Sequence, residues 1–356
     1  MDITREQVQN ILKRIIHPSA EKDIVSMGLV QNIRISGQKL SFSLKFQSFN
    51  DPLKSSLKKA CEQLLRDEFG NDVEIAIEVE SPLRPVKAEP ENPLAKVKNI
   101  MAISSGKGGV GKSTVAANIA VAFAATGAKV GLIDADIFGP SIPKMFNVEG
   151  ERPVMVQKEG KDKIVPIEKF GVKILSIGFF VDPADATIWR GPMASNALKQ
   201  LINDGDWDNL DYLFIDLPPG TSDIHITVSQ DVKLTGAIIV STPQDVALAD
   251  VTKGINMFRN KGINVPVLGI IENMAWFTPA ELPQNKYYIF GKGGCERLAR
   301  EMNVTLLGQV PIVQSIREDG DNGSPSVIRK DGTAEYFKNI AQAIRIEALK
   351  VTSYAS

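Results

Sequence analysis

Cysteine and histidine are almost missing from this 356-residue chain, which has two of each: Cys61, Cys295, His17 and His225. Two thiols so far apart exclude a disulfide framework and suit a reducing cytoplasm. The two histidines do not form a metal pair by spacing. A charge imbalance is missing as well. Lys+Arg number 41 against 42 Asp+Glu, for a net charge of −1, so no global basic field recruits nucleic acid or an acidic membrane. Long apolar runs are also absent. The longest uncharged stretch, Ser113 to Ala128, includes Asn118, ends in Thr126-Gly127-Ala128, and is too short to span a bilayer. The polar start Met1-Asp-Ile-Thr-Arg-Glu opens an amphipathic helix rather than a signal peptide. Repeats and low-complexity segments are lacking. What remains is 43% hydrophobic, enough for a sizeable core in two domains, or one large domain with an appendage.

Glycine, by contrast, is concentrated where it carries chemistry. Gly106 to Thr114 reads Gly-Lys-Gly-Gly-Val-Gly-Lys-Ser-Thr, which fits the phosphate-loop frame G-x-x-x-x-G-K-S/T at Gly106, Gly111, Lys112 and Ser113. The apolar run Asn99 to Ser104 before it suits a buried strand, and Ser113 to Ala125 after it suits a buried helix. Strand, loop and helix start aim backbone N–H groups and a positive dipole end at a phosphate. Gly108, Gly109 and Gly111 let the backbone curl around it. Lys112 then neutralises the β- and γ-phosphates while the Ser113 hydroxyl ligates Mg²⁺. Lys107 is not required by an ordinary phosphate loop and points to a subset of these proteins.

Proline marks a boundary. Pro82, Pro85, Pro90 and Pro93 crowd into a charged stretch that resists helix and strand, a semi-rigid linker over residues 81–94. Residues 1–80 before it form a small α/β unit. Its expected elements are a helix over Gln7–Ile16, strands Leu29–Ile35 and Leu40–Phe46, a helix over Leu53–Phe69 and a strand over Val73–Val79. Lys54, Lys58 and Lys59, followed by Glu62, Asp67 and Glu68, read as a solvated helix face. Residues 95–356 alternate strands and helices. The candidate strands are Ile100–Ser104, Val130–Asp134, Val172–Ile177, Tyr212–Asp216, Gly236–Ser241, Val267–Glu272 and Leu306–Val310. Most are apolar on both faces, the pattern of a doubly wound, mostly parallel sheet with ligands at the strands' C-terminal ends. The predicted class is therefore an α/β phosphate-loop NTPase preceded by a small α/β domain.

Three acids end such strands. Asp216 closes Tyr212-Leu-Phe-Ile-Asp and Asp134 closes Val130-Gly-Leu-Ile-Asp, places from which a carboxylate holds Mg²⁺ through water. Asp136 is placed to orient an attacking water. Pro218-Pro219-Gly220 makes a stiff loop beside the γ-phosphate position that can report nucleotide state.

The motif set resembles the Mrp/ApbC family of deviant phosphate-loop ATPases, a group that includes MinD, ParA and the arsenite-pump ATPases. The likeness rests on the loop itself, Asp-Ala-Asp-Ile-Phe-Gly-Pro-Ser (134–141), Trp-Arg-Gly-Pro-Met (189–193), Asp-Leu-Pro-Pro-Gly-Thr (216–221), Ile-Glu-Asn-Met (271–274) and Ile-Arg-Glu-Asp-Gly-Asp-Asn-Gly (316–323). It covers about residues 95 to 345. Ile24 to Val30 gives the N-terminal unit a likeness to iron–sulfur maturation factors. The resemblance implies a cytoplasmic, ATP-hydrolysing iron–sulfur cluster carrier that forms a homodimer around ATP and Mg²⁺ and delivers clusters to apo-proteins. It implies that Gly106 to Thr114, with Val110 among them, hold the nucleotide. It further implies that Lys107 reaches the partner's ATP and that Asn273 recognises adenine.

One part of the pattern is absent. Family carriers place Cys-x-x-Cys shortly after Glu-Asn-Met, whereas this chain continues Ala275-Trp-Phe-Thr-Pro and has no cysteine before Cys295. A relative's cysteine before the second helix is replaced by Phe49-Asn50-Asp51-Pro52. A [4Fe–4S] cluster bridged by two Cys295 thiolates and weaker ligands is expected to be labile; otherwise Cys295, after Gly293-Gly294, packs a helix start. Two other functions remain open, a MinD/ParA-like positioning ATPase and an ATP-gated client-binding adaptor. Against the first stands the helix Ala334–Lys350, whose polar face carries mixed rather than basic charge.

Overall fold

The computed structural model describes residues 3–17, 22–46, 53–70, 72–80, 93–137, 139–180 and 191–355. Most of the proline-rich linker, Phe49 to Pro52, and Trp189-Arg190 lie outside these residues. The chain divides into two units, Met1–Glu91 and Asn92–Ser356.

The first unit runs α1 (Arg5–Leu12), β1 (Val30–Ser36), β2 (Lys39–Lys45), α2 (Lys54–Phe69) and β3 (Glu74–Glu80). Helix α1 starts earlier than its apolar periodicity suggests because Thr4 and Gln7 form a capping box, each satisfying the other's backbone N–H. It stops at Leu12, so Ile15 lies beyond the helix and Ile16 instead bridges to Asp23. The sheet order is β1-β2-β3, with β1–β2 antiparallel and β2–β3 parallel. Val8, Leu12, Leu57, Cys61 and Leu65 pack against Leu40, Phe42, Leu44 and Ile77.

The second unit comprises β4 (Asn99–Ser104), α3 (Lys112–Ala124), β5 (Val130–Asp134), α4 (Ile142–Met145), β6 (Val154–Lys158), β7 (Lys161–Val165), β8 (Ile167–Lys169) and β9 (Val172–Ser176). There follow α5 (Gly191–Asp204), β10 (Tyr212–Asp216), α6 (Asp223–Asp231), β11 (Gly236–Ser241), α7 (Asp245–Arg259), β12 (Val267–Phe277), α8 (Gly294–Glu301), β13 (Leu306–Ile312), α9 (Gln314–Asp321) and α10 (Gly332–Ala355). Eight strands form one sheet in the order β13-β12-β11-β4-β10-β5-β9-β8. Its first seven strands are parallel, and the edge strand β8 runs antiparallel to β9. Successive residues of a strand point to opposite faces, which sorts the core. Ile100, Ala102, Leu213 and Ile215 meet Leu198, Ile224, Val251 and Leu298 of α5 to α8. Met101, Ile103, Leu132 and Phe214 meet Ile119 of α3 and Phe337 and Ile340 of α10. Leu94 and Val97 already belong to that first cluster, so packing begins at the end of the expected linker. Chain order reverses around β4, and the C-terminal ends of β4, β10 and β5 meet there, where a doubly wound sheet opens its crevice.

Edge strand β8 is not among the expected strands, and two further features were not foreseen. Strands β6 and β7 form a separate hairpin around Glu159 and Gly160, both at positive φ. Strand β12 continues past Glu272 to Phe277 through a register shift, with Met274 at φ 56°.

Candidate nucleotide site

The loop between β4 and α3 is shaped by what its glycines lie against. A Cβ on Gly106 would stand 2.6 Å from the carbonyl carbon of Asp250 and 2.7 Å from the nitrogen of Val251. Gly109 and Gly111 sit at φ +80° and +79°, and a Cβ on Gly111 would collide with the Asn273 amide. Only glycine meets both demands. Val110 is buried between them, while Lys107, Gly108 and Gly109 are exposed and Ser113 and Thr114 half-buried. The Ser105 hydroxyl donates to the Lys107 carbonyl at 2.9 Å, which fixes the loop's backbone and leaves the Lys107 ammonium turned outward.

Lys112, at the first turn of α3, is buried. Its ammonium lies 2.7 Å from Asp216 Oδ1 and 3.3 Å from Ser113 Oγ. Asp216 ends β10 at 0% exposure, and its Oδ2 has no hydrogen-bond partner. Burial pushes the Asp216 carboxyl above the ordinary range, while Lys112 and Ser113 pull it back. A buried carboxylate oxygen without a donor, beside a hydroxyl, fits a hard cation that takes oxygen ligands.

Asp134 differs from that expectation. Its Oδ1 accepts from the Asp136 backbone N–H at 3.2 Å, and its Oδ2 accepts from the Ile142 N–H at 3.2 Å and the Ser176 hydroxyl at 3.0 Å. Burial, with the Asp216 charge second, pushes its carboxyl up to about 7. Protein donors occupy both oxygens, so Asp134 ties Asp136, Ile142 and Ser176 to the end of β5. Asp136 is half-buried, and its charge acts on Asp216.

Asn273 also does something its motif does not advertise. Its amide nitrogen donates to the Val110 carbonyl at 2.8 Å, tying β12 to the loop and leaving the amide oxygen unengaged. The neighbouring Glu272 accepts from the Cys295 N–H at 2.8 Å and from Gln309 Nε2 at 2.6 Å. Its buried carboxylate thus caps α8, a helix whose own N-cap is glycine. Glu272 was not singled out from sequence, although an acid ending an apolar strand is the same signal that marks Asp134 and Asp216.

The loop after Asp216 is stitched across two strands. Leu217 N–H donates to the Ile103 carbonyl at 3.0 Å, Gly220 N–H to the Ser105 carbonyl at 2.8 Å, and Ala135 N–H to the Asp216 carbonyl at 2.9 Å. His225, in the first turn of α6 that follows, is fully buried; from sequence it was weighed only as one of a metal pair and set aside.

Neither thiol is placed to bind iron. Cys61 and Cys295 are both at 0% exposure. Burial pushes the Cys61 thiol up to about 12, and burial with the Glu272 charge raises Cys295 well above the ordinary range. The Cys295 sulfur sits 3.7 Å from the Thr242 carbonyl. Among the described residues no group of three His, Cys, Asp or Glu side chains could hold a metal ion. The buried Cys295 thiol does not present the thiolate that the expected labile cluster would use, because a thiolate ligand needs a depressed pKa and access.

A glycine loop on a strand, a lysine and serine at the helix start and a strand-end aspartate at the sheet's reversal define a phosphate-loop NTPase. Comparison with known proteins narrows this. Residues 96–345 match the model of the NUBPL iron-transfer P-loop NTPase family, and residues 5–79 match that of an iron-sulfur cluster assembly protein. An iron-sulfur cluster carrier protein of Synechocystis sp. is 42% identical, over 98% of this chain and 99% of its own. The structure of a nucleotide-binding protein from Archaeoglobus fulgidus in complex with ADP is 38% identical. It covers 69% of this chain and 94% of that one, with TM-score 0.59. The cell division ATPase MinD of Pyrococcus furiosus, at 24% identity and TM-score 0.51 over 70% of this chain and 99% of its own, shares the fold. The chain belongs to the NUBPL iron-transfer P-loop NTPase family, which favours the carrier reading over MinD-like positioning. Among the described residues no helix is long and apolar enough to cross a membrane.

Proposed function

We propose that this protein is a Mg²⁺-dependent ATPase that forms a homodimer around nucleotide and assists delivery of iron–sulfur clusters to apo-proteins of a reducing cytoplasm, with neither nucleic acid nor membrane as partner. The observation that carries the ATPase reading is the Lys112–Asp216 pair with its unpartnered Asp216 Oδ2 beside Ser113. In this reading the β- and γ-phosphates draw the Lys112 ammonium away from Asp216. Ser113 directly, and Asp216 through water, would hold Mg²⁺, which when bound neutralises charge on the phosphate oxygens. Gly106 to Thr114 surround the phosphates with backbone N–H groups. Asp136 orients the attacking water. Lys107, outward and unpaired, reaches the partner's nucleotide and compensates charge in the transition state. The free amide oxygen of Asn273 accepts from the exocyclic amine of adenine while its nitrogen keeps hold of Val110. The domain layout we propose is 1–80, a linker over 81–94, and the ATPase over 95–356.

The cluster is cargo in this scheme. The inward-facing thiols favour delivery in which donor and client keep the thiolate ligands and this protein supplies ATP-gated contacts. An anaerobic transfer assay tests the proposal, with a cluster-loaded scaffold, an apo-client whose ligands are cysteines, and this protein with and without MgATP. Transfer accelerated by protein and nucleotide, and insensitive to Cys295→Ala, is expected. Transfer indifferent to both protein and nucleotide would remove the delivery role.

A further inference from the structure

The proposed chemistry leaves one polar group at the site without a task. His225 lies in the first turn of α6, directly after the 217–222 loop, at 0% exposure. Its backbone N–H donates to the Ser222 carbonyl at 3.0 Å, and its Nδ1 lies 3.2 Å from Ser222 Oγ. Its Nε2 is buried with no partner. Burial, with the nearby Lys112 charge, pushes the imidazole down to about 4, while the Ser222 and Pro218 carbonyls oppose that. The ring is therefore neutral under physiological conditions and carries one proton. In the tautomer in which the Ser222 hydroxyl donates to Nδ1, that proton sits on Nε2, and the Pro218 carbonyl is a backbone acceptor that acts on the ring.

We infer that His225 is a positioning residue for hydrolysis: its Nε2–H holds the Pro218 carbonyl and thereby sets the 217–222 loop when nucleotide is bound. The inference rests on the ATPase reading above. A buried donor without an acceptor is unfavourable, so a loop shift that brings the Pro218 carbonyl onto Nε2 relieves a cost built into the nucleotide-free form. The loop cannot move independently of the site. It begins at Asp216 and is tied to Ile103 and Ser105 at the two sides of the phosphate loop's entry. The same Lys112 charge acts on both Asp216 and His225, so moving that ammonium onto phosphate changes the field at both ends of the loop. His225 touches no reacting atom in this account; it acts through the backbone of Pro218.

The conservative variants separate positioning from packing, since a glutamine amide reproduces Nε2 and an asparagine amide reproduces Nδ1. His225→Leu and His225→Asn should lower kcat about 10- to 100-fold, the usual consequence of a small misplacement at a reacting centre. KM for ATP and the affinity for ADP should stay within about twofold, because ground-state binding is not what is lost. His225→Gln should recover most of kcat. Equal loss in all three variants, or losses that follow ADP affinity and melting temperature, would show a packing histidine and overturn the inference. Should His225→Leu fail to fold, the Asn and Gln pair decides alone. An active wild type indifferent to all three removes only this inference; an inactive wild type removes the ATPase reading and the inference with it.

Discussion

Asp216 and Cys295 are equally hidden, and both lie toward the C-terminal edge of one sheet, yet their surroundings drive them to opposite fates. Asp216 is buried against a cation, keeps one oxygen unsatisfied, and sits behind a glycine loop that leaves room for a ligand. Cys295 is buried against a carboxylate, with its N–H given to Glu272 and its sulfur against a carbonyl. Burial raises the pKa of both acids. Only Asp216 has a neighbour that restores its charge, and only its neighbour can be drawn away by phosphate. A hidden acid becomes chemistry when its compensation is removable; Cys295 has only a Ser241 hydrogen bond against its burial and the Glu272 charge, and is packing.

The largest effect should come from removing that compensation. Lys112→Ala takes the cation from a fully buried carboxylate, so Asp216 loses the partner that holds its proton off. Breaking such a pair from one side costs roughly 3–5 kcal/mol, which thermal melting of the nucleotide-free protein would register. Hydrolysis should fall by more than about 10³-fold and nucleotide binding should weaken sharply. Unchanged turnover would sink the assignment of the site.

Lys107→Ala sharpens the contrast between two lysines of one loop. Lys107 is exposed and, among the described residues, has no side-chain partner, so its loss should leave melting and ATP affinity nearly unchanged. Hydrolysis should fall by about 10³-fold, the lower range for a charge supplied across an interface, and the ATP-dependent dimer should be lost in light scattering. Full activity of the homogeneous variant would end the in-trans role.

Asp136→Asn should be milder. Its side chain is half-buried, and its backbone N–H, which holds Asp134, survives the substitution. We expect kcat to drop about 100-fold while ATP and Mg²⁺ binding persist. An Asp136→Asn protein that binds ATP poorly but turns it over normally would reverse the roles given to Asp136 and Lys112.

The parallel strands were legible because each is apolar on both faces and ends at an acid, glycine or proline; Val130–Asp134, Tyr212–Asp216 and Gly236–Ser241 run as read. Hairpin β6–β7 was not, since its exposed Val154, Met155 and Val156 alternate with nothing and its second strand is rich in lysine. Strand β12 overran its expected end because the chain bends at Met274 and pairing resumes at Phe277. The phosphate loop could be read residue by residue, as its requirements are local. What escaped was long-range. No spacing reveals that Asp134 spends both oxygens on Ile142, Ser176 and Asp136, that Asn273 holds Val110, or that Glu272 caps α8 at Cys295.

The smallest effect should fall on the thiol that motif comparison makes most prominent. Cys295→Ala removes a buried sulfur but keeps the backbone N–H that Glu272 accepts, so α8 retains its cap. The loss should be near 1 kcal/mol, the centre of the range for single substitutions, with ATP hydrolysis unaltered. Native protein should not react with a thiol reagent such as dithiobis(nitrobenzoate), since neither Cys61 nor Cys295 presents an accessible thiolate, and both should react on unfolding. Anaerobic incubation with iron and sulfide, followed by gel filtration, should leave the wild type and Cys295→Ala with the same low iron content. Rapid labelling of Cys295 in the folded protein would show that α8 opens and that the sulfur is a usable ligand. Retention of about four irons per dimer, lost in Cys295→Ala, would place the thiol in a cluster and undo the contrast with Asp216.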